Sequence, residues 1–240
     1  MPELLDLVAG ATIALDKPLT WSSFSLVNKF RYEACRYLGI RKLKVGHAGT
    51  LDPLATGVMI LCTGRHTKLS EQLQSGRKEY IADIRLGQTT PTYDMESEPD
   101  AFFPTEHITE ELVRAKLLDF VGEIEQVPPA FSAVKVDGKR AYKLARKGRE
   151  FELKAKKLTI DEIELLAYAP TQIQIRVVCS KGTYIRALAR DIGLALGSGG
   201  HPTDLRRTRV GDYSLEQCYR VEDIQRFLAE HVAPLDETNE

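Results

Sequence analysis

The order of apolar and polar residues along the chain predicts at least five strands. Val58 to Cys62 is an unbroken apolar run and predicts a buried strand. Tyr80 to Leu86 and Gln172 to Ser180 alternate between apolar and polar residues, which predicts strands with at least one buried face. Ala11 to Asp16 and Leu158 to Leu166 are predicted as further strands. Leu158 to Leu166 and Gln172 to Ser180 join through Ala169-Pro170, which favours antiparallel pairing of these two strands.

Helical spacing of apolar residues predicts a first helix that begins after Ser22 and Ser23 and stops at Gly39. The two serines suit an N-cap, and glycine is common just beyond the last turn of a helix. The apolar stripe of this helix consists of Phe24, Val27, Phe30, Ala34 and Leu38.

Three further segments are predicted to be helical. Glu110 to Val121 fits a helix closed by Gly122, and Arg140 to Lys147 fits a short basic helix ended by Gly148. Before the basic helix, Asp137-Gly138 is a strong signal for a type I′ hairpin turn. Glu216 to Glu240 is predicted to be one amphipathic helix followed by an acidic tail.

The most informative helix follows the turn at Lys181-Gly182 and has an apolar stripe at helical spacing. It places Arg186 in the first turn, where a cation opposes the helix dipole, so a nearby anion is expected. Asp52 or an RNA phosphate would serve. The alternative is an ordinary surface arginine. The apolar stripe consists of Ile185, Leu188, Ala189, Ile192, Ala195 and Leu196.

Strands in pairs with interspersed helices predict an α+β protein with a mixed, largely antiparallel central sheet flanked by helices. The 240 residues are 43% hydrophobic and 28% charged, and we expect one domain spanning residues 1–240. No apolar stretch approaches the ~20 residues of a membrane span, and the N-terminus lacks the pattern of a signal peptide, so a cytoplasmic location is expected. The four cysteines are predicted to be buried thiols without disulfides: Cys35, Cys62, Cys179 and Cys218.

Charge is unevenly distributed in this chain, although its formal net charge is only −1. Between Lys135 and Lys157 there are ten Lys or Arg residues against three acids, which predicts a polyanion-binding surface. Lys29 to Lys44 and Lys181 to Arg209 are also basic, whereas Tyr93 to Glu125 is acidic. A solvated face is the alternative for any single run, but three basic runs favour a nucleic-acid partner.

Asp52 stands out as a candidate for chemistry because it lies in a glycine-punctuated loop that leads into the buried run. Pro53 moves Asp52 out of the helical region, and the surrounding glycines allow tight turns or close approach of a ligand. The alternative is a turn in which Asp52 satisfies nearby backbone donors. The chain has no Walker A or dinucleotide fingerprint, and His47 and His66 lack partners at metal spacing. An acid, a phenol and an arginine, without metal or cofactor, are therefore the expected chemical groups.

Three segments together resemble the TruB family of bacterial tRNA pseudouridine-55 synthases. They are Gly49 to Gly57 around Asp52, Lys78-Glu79-Tyr80, and Ser180 to Arg186, and the resemblance extends from Leu15 to Arg207. It implies a pseudouridine-synthase fold and conversion of uridine 55 in the tRNA T loop to pseudouridine. The implied partner is the T-arm stem-loop of tRNA, with no metal, cofactor, membrane or obligate protein partner.

The resemblance also implies roles for the candidate catalytic residues. Asp52 is the carboxylate that attacks C1′ of the sugar or C6 of the base, or that abstracts a sugar proton; these three routes stay open. Tyr80 stacks on the uracil and is a candidate base at C5. Arg186 pairs with Asp52 and keeps it ionised.

Base flipping is implied as well, because a stacked uracil is out of reach of the enzyme. His47 fills the vacated space or supports the extruded nucleotides, while Tyr184 and Leu205 line the pocket. Lys17 and Lys135 are further candidates for substrate binding. A mobile thumb at about residues 124–152 contacts the RNA backbone through Lys143, Arg146 and Lys147.

The 31 residues after Arg209 predict a form of the family without a separate C-terminal PUA-type RNA-binding domain. The alternative function is that of a non-catalytic tRNA-binding or tRNA-folding protein that uses the same basic surfaces.

Overall fold

The structure is a computed structural model that describes residues 4–132, 134–136 and 138–235. The described chain forms two compact units. Unit 1 contains the residues up to Lys78 and those from Arg206 onward, and unit 2 contains Glu79–Leu205. In the described ranges, no helix has the length and apolar character needed to cross a membrane.

In the described ranges, five strands have eight or more residues and the others are shorter. In chain order they are β1 Thr12–Lys17, β2 Val45–His47, β3 Ala55–Thr63, β4 Lys78–Leu86, β5 Gln88–Thr89, β6 Ala101–Phe102, β7 Gly122–Gln126, β8 Lys135–Val136, β9 Lys139–Arg140, β10 Lys156–Ala169, β11 Gln172–Cys179, β12 Gly200–Val210, β13 Tyr213–Ser214 and β14 Tyr219–Arg220.

The helices are α1 Ser23–Leu38, α2 Ser70–Ser75, α3 Glu110–Leu118, α4 Ala141–Ala145, α5 Ile185–Ala195 and α6 Ile224–His231. Short 3₁₀ helices cover Gly64–Leu69, Leu215–Gln217 and Val221–Asp223. The α+β class with a mixed, largely antiparallel sheet is confirmed. β1 pairs with β14 in parallel, whereas the pairs β1–β3, β2–β3, β10–β11 and β10–β7 are antiparallel.

In unit 1, β3 is the central strand. It pairs antiparallel with β1 and β2, and the last residues of β12 lie beside it. Met59 and Leu61 face a core built with α1, α6 and β1, while Val58 and Ile60 face a second cluster. This burial of both faces is why the sequence of β3 is continuously apolar rather than alternating.

In unit 2, β10 pairs antiparallel with β11 and with β7, and β4 lies beside β11 and the first residues of β12. The alternation in β4 is observed as predicted: Tyr80, Ala82, Ile84 and Leu86 are buried, and the residues between them are more exposed. β11 likewise buries Ile173, Ile175 and Val177. Helix α5 then covers the core with Leu188 and Ile192.

The predicted first helix is confirmed as α1, with Ser22 as N-cap and Gly39 in a left-handed C-cap at φ 68°. One member of its stripe was wrong. Phe24 is 66% exposed, because the buried arc of α1 is centred on Leu26, Phe30 and Ala34 and Phe24 lies just beyond its edge.

The predicted helix at Glu110 is confirmed, but its end was wrong. α3 stops at Leu118, where successive i→i+3 hydrogen bonds from Asp119, Phe120 and Val121 tighten the chain into turns. Gly122 does not close the helix. It begins β7 at φ 102° and pairs with Ile160.

The prediction of one helix from Glu216 was wrong. Tyr219 and Arg220 form β14, which satisfies the open edge of β1, and Tyr219 packs on Phe227 at 4.5 Å between ring centroids. In the described part of this segment, residues 216–235, only Ile224–His231 is α-helical. The acidic tail that was predicted beyond it lies in part outside the described residues.

The hairpin before the basic helix is confirmed by the antiparallel pairing of β8 and β9, with Gly138 at φ 77°. Asp137, the other residue of the predicted turn, lies outside the described residues. α4 confirms the short basic helix, and Gly148 follows it at φ 63°. All four cysteines are free thiols, but only Cys62 and Cys179 are buried, whereas Cys35 and Cys218 are half-buried.

Candidate active site

The loop that carries Asp52 connects β2 to β3 in unit 1, and its backbone is held by a buried arginine from β12. Arg207 is 2% exposed. Its Nη2 donates to the carbonyl oxygen of Gly49 at 3.4 Å, its Nη1 to Thr50 at 3.2 Å, and its Nε to Val58 at 2.8 Å. One guanidinium therefore joins the start of the loop to β3, the strand that follows it.

The middle of the loop is held by other partners. Ser23, the buried first residue of α1, uses its hydroxyl both to accept from the Leu51 amide and to donate to the Leu51 carbonyl, each at 2.9 Å. The Asp52 carbonyl accepts from the Ala55 amide at 3.1 Å, and the Pro53 carbonyl accepts from the Thr20 amide at 2.8 Å. Every carbonyl from Gly49 to Pro53 thus has a donor, which gives the half-buried Asp52 a fixed backbone.

Lys17 lies behind the same loop and is fully buried. Its ammonium donates to the carbonyls of Trp21, Pro18 and Pro53 at 2.7, 2.9 and 3.3 Å. The pKa of Lys17 is lowered from 10.5 to about 8. Burial is the largest cause, and the Arg207 cation acts in the same direction, whereas the carboxylates of Asp52 and Asp16 oppose the shift. The predicted substrate-binding role of Lys17 stays a prediction, but the contacts place it as a support of the loop.

His47 ends β2 and is half-buried. Its Nδ1 is buried without a hydrogen-bond partner among the described residues. Burial, and then the charge of Arg207, lower the pKa of His47, so the ring is neutral at pH 7. A neutral ring with an unused nitrogen suits contact with a base or sugar better than with a phosphate.

In unit 2, Arg186 occupies the first turn of α5, as predicted, and it is 6% exposed. The alternative of a surface arginine was therefore wrong. Its Nη1 donates to Asp94 Oδ2 at 3.0 Å and to the Thr92 carbonyl at 3.1 Å, and its Nη2 donates to the Phe131 carbonyl at 3.0 Å. Asp94 is thus an anion beside this arginine that sequence reasoning did not single out, because it is one of ten acids in the run from Tyr93 to Glu125.

Tyr80 and Leu205, each 8% exposed, are also in unit 2, on β4 and β12. Tyr184 caps the start of α5 and is fixed by Gln126, whose side chain accepts from the Tyr184 amide at 2.9 Å and donates to its carbonyl at 3.2 Å. These residues stand at the ends or in the centres of regular elements, which holds their side chains in defined positions.

The basic segment of unit 2 differs from these sites because its cations are exposed. Lys135 lies on β8, and Lys143, Arg146 and Lys147 lie on or just after α4; all four are exposed. Arg146 stacks over the Tyr142 ring at 5.8 Å from the centroid. Exposed cations beside an aromatic ring suit contact with a phosphate backbone.

The sequence matches two family models that together cover most of the chain. TruB family pseudouridylate synthase (N terminal domain) matches residues 36–185, and tRNA pseudouridylate synthase B C-terminal domain matches residues 186–238. The chain belongs to the TruB family.

Two curated proteins that are similar to this TruB-family chain come from different species and have the same name. The protein named tRNA pseudouridine synthase B from Parabacteroides distasonis is 61% identical over 97% of this chain and 99% of its own length. The protein of that name from Bacteroides thetaiotaomicron is 62% identical over 96% of this chain and 98% of its own length.

A solved structure has a similar fold. It is the crystal structure of a Cbf5-Nop10-Gar1 complex, in which the matched chain is 27% identical to this one with a TM-score of 0.69. The match covers 96% of this TruB-family chain and 61% of the solved chain. The pseudouridine-synthase fold predicted from the motifs is therefore confirmed.

Proposed function

We propose that this TruB-family protein isomerises uridine 55 in the T loop of tRNA to pseudouridine. The support comes from the full-length relatives named tRNA pseudouridine synthase B and from the three motifs that contain Asp52, Tyr80 and Arg186. The observation that carries the proposal is a carboxylate on a loop in which every carbonyl from Gly49 to Pro53 has a donor.

The reaction rearranges bonds without adding or removing atoms. The N1–C1′ glycosidic bond breaks, the uracil turns while it is held, and C5 forms a bond to C1′. C5 then loses its proton and N1 gains one, so the product is an isomer of the substrate. Acid–base and nucleophilic side chains are sufficient for these steps.

Asp52 is the proposed catalytic carboxylate. Attack on C1′, attack on C6 and abstraction of a sugar proton are all open to a carboxylate. Each route needs the ionised form of Asp52 at a fixed distance from one nucleotide, and a backbone held by Ser23, Thr20 and Arg207 supports such a placement.

Tyr80 and Arg186 are the proposed partners of this carboxylate in the chemistry. The buried phenol of Tyr80 offers a flat face for the uracil and an oxygen that can accept the C5 proton. Arg186 is the proposed cationic partner of the Asp52 carboxylate during the reaction, and its buried ion pair with Asp94 orients the guanidinium.

Substrate binding is proposed to use two kinds of contact. His47, Tyr184 and Leu205 surround the flipped nucleotide, with Lys17 and Lys135 as further contributors, and flipping costs a few kcal/mol. Lys143, Arg146 and Lys147 bind phosphates of the T-arm. The proposed partner is tRNA in the cytoplasm, where tRNA is modified in bacteria.

The deciding experiment measures tritium release from a tRNA transcript that contains 5-tritiated uridine. Only substitution at C5 liberates this label. We expect close to one equivalent per tRNA from the wild type and none from Asp52→Asn. A transcript with cytidine at position 55 is the control and is expected to release no label.

The second candidate function is a tRNA-binding or tRNA-folding protein without catalysis. The exposed cations of α4 fit this candidate as well as the first. A folded wild type that binds tRNA and releases no label would favour the second candidate over the first.

A further inference from the structure

Arg207 has no part in the proposed chemistry, yet it is among the largest fully buried side chains of the described chain. It belongs to unit 1, like the Asp52 loop. Its guanidinium hydrogen bonds end on three backbone carbonyl oxygens, those of Gly49, Thr50 and Val58.

Burial of a cation whose hydrogen bonds end on neutral carbonyls is costly, because these acceptors carry no opposite charge. An apolar side chain would fill the same volume at a lower cost if packing were the only requirement. What the guanidinium adds is a planar fork of donors with fixed directions. It holds Gly49 and Thr50 on one side and Val58 on the other in fixed directions, whereas a compact ammonium has no fixed plane of donors and an apolar residue has no donor.

The backbone of Arg207 is held in place as well as its guanidinium. At Gly57, a β-carbon would lie 2.1 Å from the Arg207 carbonyl oxygen, so the two backbones touch at this point. Gly57 also has φ +108°, a conformation that favours glycine. The arginine therefore reaches the loop from a backbone position that is itself held against β3.

Along the sequence, the three residues that accept from Arg207 lie on both sides of Asp52, the proposed catalytic residue. Gly49 and Thr50 precede Asp52, and Val58 follows it at the start of the buried run of β3. A change in the length or direction of the Arg207 contacts would alter the separation of the two ends and thereby the position of the carboxylate.

We propose that Arg207 is a positioning residue of this enzyme: its fork of hydrogen bonds sets the geometry of the Gly49–Val58 loop and places the Asp52 carboxylate, without contact to the RNA. The inference rests on the proposed function, because it assumes that Asp52 carries out the chemistry.

The test compares Arg207→Lys and Arg207→Gln with the wild type in single-turnover tritium release at saturating enzyme, alongside tRNA binding and thermal melting. Arg207→Lys keeps the charge but replaces the planar fork of donors with a compact ammonium, which cannot meet the three acceptors in the same directions. We expect its rate to fall about 100-fold while its Kd for tRNA stays within about threefold, since a displacement of about 1 Å can cost this much.

Arg206→Lys is the matched control. Arg206 is the preceding residue of the same strand, and its guanidinium contacts Asp16 Oδ2 at 2.8 Å and Thr56 Oγ1 at 3.1 Å instead of the loop carbonyls. Its rate and Kd are expected to stay within about threefold of the wild type.

The pH profile separates position from charge. Arg207→Gln removes the buried charge, so any electrostatic contribution of Arg207 to the rate should appear as a shift of the acid limb of the pH–rate profile in this variant. Arg207→Lys should leave the limb in place and lower the plateau. A loss of rate in Arg207→Lys that a shifted limb explains completely would make Arg207 a source of charge and overturn the positioning role.

Two further results would also overturn the inference. One is an Arg207→Lys rate within threefold of the wild type. The other is a parallel loss of melting transition, tRNA binding and rate in both variants, which would make Arg207 a general core residue. If the wild type itself releases no label, the proposed function fails and the inference fails with it. An active wild type with fully active Arg207 variants would reject the inference alone.

Discussion

The Asp52 loop of unit 1 and the basic segment of unit 2 both depend on cations, but they use them in opposite ways. Lys17 and Arg207 are buried, and their donors end on backbone carbonyls at 2.7–3.4 Å. Lys143, Arg146 and Lys147 are exposed, and their charges face solvent.

Under the proposed function, the buried cations support the chemistry and the exposed cations provide affinity for tRNA. A buried cation surrounded by carbonyls gives up its hydration to fix a backbone, so it can contribute to placement of a carboxylate. An exposed cation keeps its hydration and its conformational freedom, so it can pair with a phosphate of any nearby nucleotide. Removal of the two kinds of cation should therefore change different measured quantities.

The largest effect is expected at Asp52. Asp52→Asn keeps the shape of the side chain and removes the carboxylate, so turnover should fall by more than about 10⁴-fold. The affinity for tRNA should stay within several-fold of the wild type, since it depends on phosphate contacts. Single-turnover tritium release and filter binding measure the two quantities, and a parallel loss of both would contradict the separation.

Replacement of the buried lysine should reduce stability. Lys17→Met leaves the carbonyls of Pro18 and Trp21 without the donor that they have in the wild type, so the free energy of unfolding should fall by about 3 kcal/mol. Urea denaturation at pH 7 measures the change. Lys44→Met, at an exposed lysine of the same unit, is the control and should change stability by less than about 0.5 kcal/mol.

The pH dependence of stability should show whether the pKa of Lys17 is lowered in the folded protein. The folded protein loses the Lys17 proton near pH 8, whereas the unfolded chain keeps it up to about 10.5. Between these values the unfolded state binds more protons, so raising the pH favours the folded state. The stability of the wild type relative to Lys17→Met should therefore increase from pH 8 to pH 10. A constant difference would show that Lys17 keeps its ordinary pKa.

The smallest effect is expected in the basic segment, where only affinity should change. Joint replacement of Lys143, Arg146 and Lys147 by Gln should weaken tRNA binding about tenfold and reduce the slope of log K against log salt by about 2. The rate at saturating enzyme should stay near that of the wild type. Titrations at several salt concentrations provide the slope.

Arg114→Gln with Lys116→Gln is the matched control for the basic segment. Arg114 is exposed and Lys116 is half-buried. Both lie on α3 of unit 2, in the acidic run, and pair with Glu110 and Asp119. Their joint removal should leave the salt slope unchanged. An equal decrease in both variants would mean that net charge, rather than the basic segment, determines the slope.

The elements that were predicted well are those whose signal is local. The continuous apolar run of β3, the alternation in β4 and the caps of α1 each reflect burial or hydrogen bonding within a short stretch of chain. The prediction of one helix from Glu216 onward was wrong for the opposite reason. Its amphipathic pattern was local, but the open edge of β1 pairs with Tyr219 and Arg220 and interrupts the helix.

The residues of the candidate site also differ in whether a local signal in the sequence located them. The three motifs located Asp52, Tyr80 and Arg186, and helical spacing placed Arg186 in the first turn of α5, where the structure has it. Asp94 was hidden among other acids of its run. Arg207 was visible as the end of a family segment, but nothing in its neighbours indicated that its guanidinium is buried.

The amino-acid sequence by itself determined the fold class, most of the elements, the family and the residue types available for chemistry, because periodicity and motifs are properties of consecutive residues. Only the tertiary structure decided what each buried cation contacts. Arg207 meets Thr50 and Val58 across about 150 positions of sequence, and Arg186 meets Asp94 across 92. Such pairings depend on which strands become neighbours, and a hydrogen bond between distant segments leaves no periodic signal in either of them.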